Sequence, residues 1–195
     1  MVKVVGIDLA GLERRDTGFC VMDTATMEVF TKVLHTDDEI VEEVMKVKPI
    51  VVAIDAPLSI PKGRKSIDER NEHHFRQCDK ELLEMGIKFF PITLGPMRML
   101  TKRGIKLKER LKKLGFRVIE VYPGGAQDVL NIPRKSDVKG LRDGLEKLGI
   151  KRIKKDVTHD ELDAITAAYV AKAYVEGNYT QLGDEEEGVI IMPKL

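Results

Sequence analysis

Residues 2–11, VKVVGIDLAG, decide how the rest of the chain is read: a short, mostly apolar run with β-branched residues that stops at Ala10-Gly11. A run with no polar face is the pattern of a strand covered on both sides within a sheet. Asp8 stands at its C-terminal end, where a charge is costly unless it is paired or coordinated. The same arrangement returns at residues 51–58, VVAIDAPL, where the five-residue apolar run Ile50 to Ile54 ends in Asp55. A single strand-end aspartate is explained by a helix cap or a salt bridge. Two of them in the same setting point to a shared site.

Outward from this stretch, Thr17 to Met22 and Met27 to Leu34 read as strands joined by the turn Asp23-Thr24-Ala25-Thr26, so the first three strands form an antiparallel meander. Asp37 to Val47 carries Ile40, Val41, Val44 and Val47 at helical spacing behind an acidic start, the pattern of an amphipathic crossover helix. Such a crossover lays Ile50 to Ile54 parallel to the first strand. Phe116 to Tyr122 supplies a fifth strand, closed by Pro123-Gly124-Gly125. The expected architecture is α/β: a mixed five-stranded sheet in the order 3-2-1-4-5, flanked by helices. Residues 57–104 contain Pro57, Pro61, Pro91 and Pro96 around one amphipathic stretch from about Ser66 to Met85, and read as a helical insertion after strand 4 in a single domain, residues 1–195. A basic helix is expected over roughly Ile105 to Leu114. Thr158 and Glu161 form a capping-box signature for a later helix running through Tyr174, with Ala164, Ala167, Ala168 and Ala171 allowing close approach to the sheet. Gly188 to Met192 reads as a terminal strand.

If the strands ending in Asp8 and Asp55 are parallel neighbours, both carboxylates lie at the edge where open α/β sheets bind their ligands. Like charges so placed repel and raise one another's pKa unless a cation neutralises them, and oxygen-only ligands favour a hard ion such as Mg²⁺ or Mn²⁺. In HDELDAITAAYVA, residues 159–171, Asp160 and Asp163 share a helix face. Asp160 also suits the first turn as a complement to the helix dipole. Asp163 stands among Leu162, Ala164 and Ile165, where a buried carboxylate reads as a ligand. Glu120, in the strand VIEVYPGG, is either an inward-facing acid beside the ions or a half-exposed strand position. The expected metal ligands are therefore Asp8, Asp55 and Asp163, with Glu120 and Asp160 as further catalytic candidates. His159 either aids proton transfer or is incidental to the cap.

The chain has 33 Lys or Arg against 32 Asp or Glu, a net charge of +1, but the charges are unevenly spread. Residues 98–117 hold nine basic residues against Glu109 alone, and residues 134–155 hold nine against three acids, whereas residues 184–187 are acidic. Such segments are either solvated helix faces or a footprint for a phosphate backbone. No apolar run reaches the ~18 residues of a membrane span, and the N-terminal run does not form a signal peptide, so no membrane and a cytoplasmic location are expected. Cys20 and Cys78 make no metal-like pair and read as reduced thiols. A one-third charged composition with three Asn and three Gln is a bias of proteins from hot environments.

Taken in order, GIDLAG, IDAPL, EVYP and HDELDA resemble the RNase H-like superfamily. More narrowly, with RQCDKELLEMGI and GDEEEGVIIMP added, the chain resembles domain-of-unknown-function family 429, a group of predicted nucleases with that fold, over nearly its whole length. The resemblance implies a divalent-metal-dependent nuclease acting on nucleic acid, with Asp8, Asp55 and Asp163 binding the catalytic metals and Asp160 matching the second helix acid of resolvase-like members. It leaves Arg76 and Asp79 either binding substrate or pairing with each other. The actin-like ATPases and sugar kinases also begin with an Asp near a first-strand turn, but they need a second lobe and a second phosphate loop for which this chain has no room. A non-catalytic binding module using the same acidic pocket is the alternative of a different class. Gly124-Gly125-Ala126 reads as a turn, His73-His74 as solvated surface, and Met97 and Met99 as packing.

Overall fold

The computed structural model describes residues 1–194. Strands β1 (Lys3–Asp8), β2 (Thr17–Asp23) and β3 (Val29–Leu34) form the antiparallel meander, with Asp8 opposite Gly18. Helix α1 (Asp37–Val47) is opened by a reciprocal cap, Thr36 accepting from the Glu39 N–H and Glu39 accepting from the Thr36 N–H. The helix carries the chain across to β4 (Val51–Asp55), which lies parallel to β1 with Asp8 and Asp55 in register. β5 (Val118–Val121) lies parallel to β4. The expected order 3-2-1-4-5 is thus present, and β6 (Tyr179–Asp184) with β7 (Gly188–Pro193) extends it to a seven-stranded sheet, β3-β2-β1-β4-β5-β7-β6. β6 escapes sequence reading because Thr180 and Gln181 are exposed on an edge strand, which leaves no apolar alternation to detect.

Successive residues of β1 serve opposite layers, which is why its sequence is apolar throughout. Val4 packs with Met22, Ala53 and the buried face of α6 (His159–Val175), whereas Val5 and Ile7 pack with Ile40 and Val44 of α1 and Leu107 and Leu111 of α3 (Gly95–Lys113). Two corrections concern the helices. α3 begins ten residues before the expected Ile105, because Pro96 sits in its first turn, where no intrahelical N–H is needed, and so does not break it. The amphipathic stretch Ser66 to Met85 is helical only as α2 (Gln77–Glu84), since the Arg64 side chain gathers the carbonyls of Glu69, Asn71 and His73 into a non-helical loop. Pro123 closes β5 as expected, but it also opens α4 (Pro123–Val129), so Gly124-Gly125-Ala126 is helical and not the expected turn; α5 (Val138–Lys147) follows. Among the described residues no helix is long and apolar enough to cross a membrane.

The position of α6 depends on two glycines beneath it. A Cβ on Gly6 would lie 2.2 Å from the Ala164 carbonyl oxygen and 2.3 Å from the Ala168 nitrogen, and one on Gly18 would lie 2.1 Å from the Asp160 carbonyl oxygen. Both obstacles are backbone, so neither can rotate aside. Gly6→Val is expected to lose more than about 3 kcal/mol of stability in urea unfolding, because α6 must lift off the sheet to admit it. A loss under 1 kcal/mol would mean that the contact is not tight.

Candidate metal centre

Parallel pairing brings Asp8 of β1 and Asp55 of β4 side by side at the C-terminal edge of the sheet, and α6 delivers Asp163 from above. One carboxylate oxygen from each of the three lies within 4.8 Å of the others. Asp8 and Asp163 are buried and Asp55 is partly open to a cavity. The three expected ligands are together, and the cause is local: register on one side, the capped and glycine-seated helix on the other. Burial, and then the neighbouring Asp55, raise the Asp8 carboxyl well above the usual carboxylate range. Burial, and then Asp163, push Asp55 up to about 7. Concentrated negative charge with oxygen-only donors is the chemistry of a hard divalent cation site, so the residues fit Mg²⁺ or Mn²⁺.

Two groups at this centre are not evident in the sequence. Lys135, in the connection between α4 and α5, reaches in until its Nζ is 3.1 Å from Asp163, 3.4 Å from Asp8 and 3.7 Å from Asp160. Burial opposes its charge, but Asp8, Asp163 and Asp55 outweigh burial and hold the ammonium above its ordinary pKa. Gln127 of α4 is fully buried and donates from Nε2 to Asp163 Oδ1 at 2.7 Å and to Thr166 Oγ1 at 3.1 Å. Thr166 spends its own hydroxyl proton on the Leu162 carbonyl, so it can only accept from Gln127. The amide is thereby fixed with its nitrogen toward Asp163, and its Oε1 is left buried with no hydrogen-bond partner among the described residues.

Other candidates lie nearby in different roles. Asp160 occupies the first turn of α6 and sits 2.8 Å from Nδ1 of the exposed His159. Glu120 does not join the three aspartates: it accepts from Arg76 at 2.7 and 2.8 Å and from the Leu58 N–H at 2.8 Å. Arg76, only 1% exposed, also pairs with both oxygens of Asp79 at 2.9 and 3.1 Å and with Ser59 at 3.0 Å, which commits its whole guanidinium. Of the two readings of Arg76 and Asp79, the pairing is the one observed, and Glu120 is bound into it. The aspartates open into a cavity of about 480 Å³ whose apolar wall includes Leu9, Leu82, Phe89, Ile92 and Tyr122.

Part of the basic segments is engaged within the chain, Arg103 as a buried brace and others in more exposed pairs. Arg103 is buried and bonds Asp37 and the carbonyls of Ala10 and His35, Arg110 pairs with Asp38, and Lys102 pairs with Asp68. Arg142, Arg152 and Lys154 pair with Glu146, Glu28 and Glu161. α3 lines the cavity with Met97 and Leu100 in its first turns, and its last turn leads into the start of β5, so Lys112 and Lys113 lie toward the opposite edge of the sheet. Arg134 and Lys135 line the cavity itself, and Arg98 adjoins it in sequence. His73 and His74 are exposed, as expected.

A family model described as "Protein of unknown function (DUF429)" matches residues 6–188. Among solved structures, RuvC from Thermus thermophilus is similar to this chain with a TM-score of 0.51 at 14% identity, covering 90% of this chain and 97% of that one. The yeast mitochondrial Holliday junction resolvase Ydc2 gives a TM-score of 0.43 at 16% identity, covering 89% and 77%. The likeness to RuvC is one of fold, RNase H-like. No curated protein matches the sequence.

Proposed function

The chain belongs to the DUF429 family and has an RNase H-like fold, and from its carboxylate centre we propose that it is a divalent-metal-dependent nuclease hydrolysing phosphodiester bonds in nucleic acid. The observation that carries this reading is the convergence of Asp8, Asp55 and Asp163, one oxygen each within 4.8 Å, at the bottom of an open cavity. Bound Mg²⁺ or Mn²⁺ would supply the activation of a water and the neutralisation of a leaving oxygen. Asp8, on the central strand between the other two acids, would hold the metal together with Asp55 and Asp163. Gln127 fixes the rotamer of Asp163 and keeps one of its oxygens turned away from solvent. Arg134 and Lys135, which line the cavity, meet the phosphates, which makes binding fall as salt rises. In this reading residues 1–195 are one domain, and the 57–104 insertion, through Phe89 and Ile92, walls the cavity.

The test is a panel of labelled single-stranded, duplex, hybrid and branched nucleic acids incubated with Mg²⁺, Mn²⁺ or chelator. Cleavage that needs metal is expected on at least one substrate. Affinity for the metal should climb as pH rises through about 7, where Asp55 of the metal-free protein gives up the proton that competes with metal. Salt-insensitive behaviour without cleavage across the panel would favour a binding module using the same pocket.

A further inference from the structure

Lys135 stands where a cation is needed. Its ammonium lies between the carboxylates of Asp163 and Asp8, at 3.1 and 3.4 Å, and near Asp160. An ammonium on those carboxylate oxygens occupies the electrostatic place a metal ion would take, so the two compete for Asp8 and Asp163. The lysine is nevertheless free to leave. Its side chain is 45% exposed, and the backbone around it is anchored on both sides without its help. Arg134 before it holds Asp128 at 2.6 Å and the Tyr122 hydroxyl at 3.0 Å, while Asp137 after it caps α5 by accepting from the Gly140 N–H at 2.9 Å. Departure therefore requires rotation about the side-chain bonds of Lys135 alone. Arg134 lines the same cavity, so an incoming phosphate meets a second cation beside the position to which the lysine swings.

Resting on the nuclease reading, we propose that Lys135 is a tethered counter-ion that keeps the acidic centre neutralised without metal, competes with the divalent cation for Asp8 and Asp163, and is drawn off by a phosphate of the substrate. Metal loading and phosphodiester binding are then coupled: each raises the affinity for the other by the same factor. The centre takes up metal most tightly when substrate is present.

The test is calorimetric titration of Mn²⁺ into the wild-type protein, Lys135→Met and Lys135→Gln, each in chloride and in sulfate of equal ionic strength, with sulfate standing in for the phosphodiester. Both variants are expected to bind Mn²⁺ at least tenfold more tightly than wild type in chloride. Sulfate should tighten binding to wild type and leave the variants unchanged. Thermal unfolding provides the second readout: the variants should melt below wild type without metal, having lost the counter-ion, and gain more from Mn²⁺ than wild type does. Equal Mn²⁺ affinity in all three proteins would overturn the competition and leave the metal site standing. Binding by none of them would remove both. Weaker binding in the variants would make Lys135 a support of the site, contrary to the proposal, and an inert sulfate arm would remove the coupling.

Discussion

Asp8→Asn is expected to reduce metal-dependent cleavage at least about a thousandfold, equivalent to roughly 4 kcal/mol of transition-state stabilisation. The substitution keeps the shape of the side chain and removes only its charge, so the fold remains. Asp8 is paired in register with Asp55 and faces Asp163, and an amide there would lack the negative charge a divalent ion needs from its ligand. Asp163→Asn should fall as far. Asp160→Asn, whose carboxylate is already bonded to His159, should cost less than about tenfold. A second signature separates loss of a ligand from loss of structure. The folded-state pKa of Asp8 is raised by burial and by Asp55, so at neutral pH its ionisation opposes folding; this penalty is absent below the unfolded-state pKa and grows as pH rises through the folded value. Metal-free Asp8→Asn is therefore expected to melt a few degrees above wild type at pH 8 while being inactive. A variant that loses both activity and stability would show Asp8 to be structural.

A large effect on stability is expected at Arg76. Arg76→Met leaves Glu120 and Asp79, 6% and 2% exposed, without their cation in a largely desolvated site at the cavity wall. Removing one partner of a buried ionic network costs about 3–5 kcal/mol, and at this chain length each kcal/mol lowers Tm by roughly 2–4 °C. The variant should thus melt at least about 6 °C below wild type. The network ties the start of α2 to β5, so the damage should begin at α2 and be visible as faster amide exchange there. Neutralising the two acids together with the arginine, in the triple variant Arg76→Met, Glu120→Gln, Asp79→Asn, should recover most of the loss. Failure of that rescue would mean that packing of the arginine stem, and not charge, holds the site.

How much of this was legible beforehand follows from the range of the interactions. β1 and β4 are announced by apolar runs ending in aspartate, α1 by its apolar spacing and acidic start, and α6 by its capping residues, and all four signals lie within a few residues of the element that they specify. The three aspartates could be assembled because strand order follows from the meander and a right-handed crossover. Lys135 was hidden in a basic run, since nothing local distinguishes it from Lys139; it meets Asp8 across 127 positions of chain. The role of Glu120 stays open in the sequence for the same reason, its guanidinium partner lying 44 positions away. Gln127 carries no charge to attract notice, and its place beside Asp163 depends on how α4 packs on α6. β6 had no apolar alternation to show. Local chemistry thus marked the acids, and tertiary packing alone marked what positions and balances them.

The most direct test of the metal centre is a crystal structure of the wild-type protein with Mn²⁺ and sulfate, with anomalous scattering locating the metal. One or two anomalous peaks are expected among the carboxylates of Asp8, Asp55 and Asp163, with the Lys135 side chain turned out of the cluster. A map without anomalous density there at saturating Mn²⁺, with Lys135 still between Asp8 and Asp163, would contradict the assignment of these acids as a catalytic metal site.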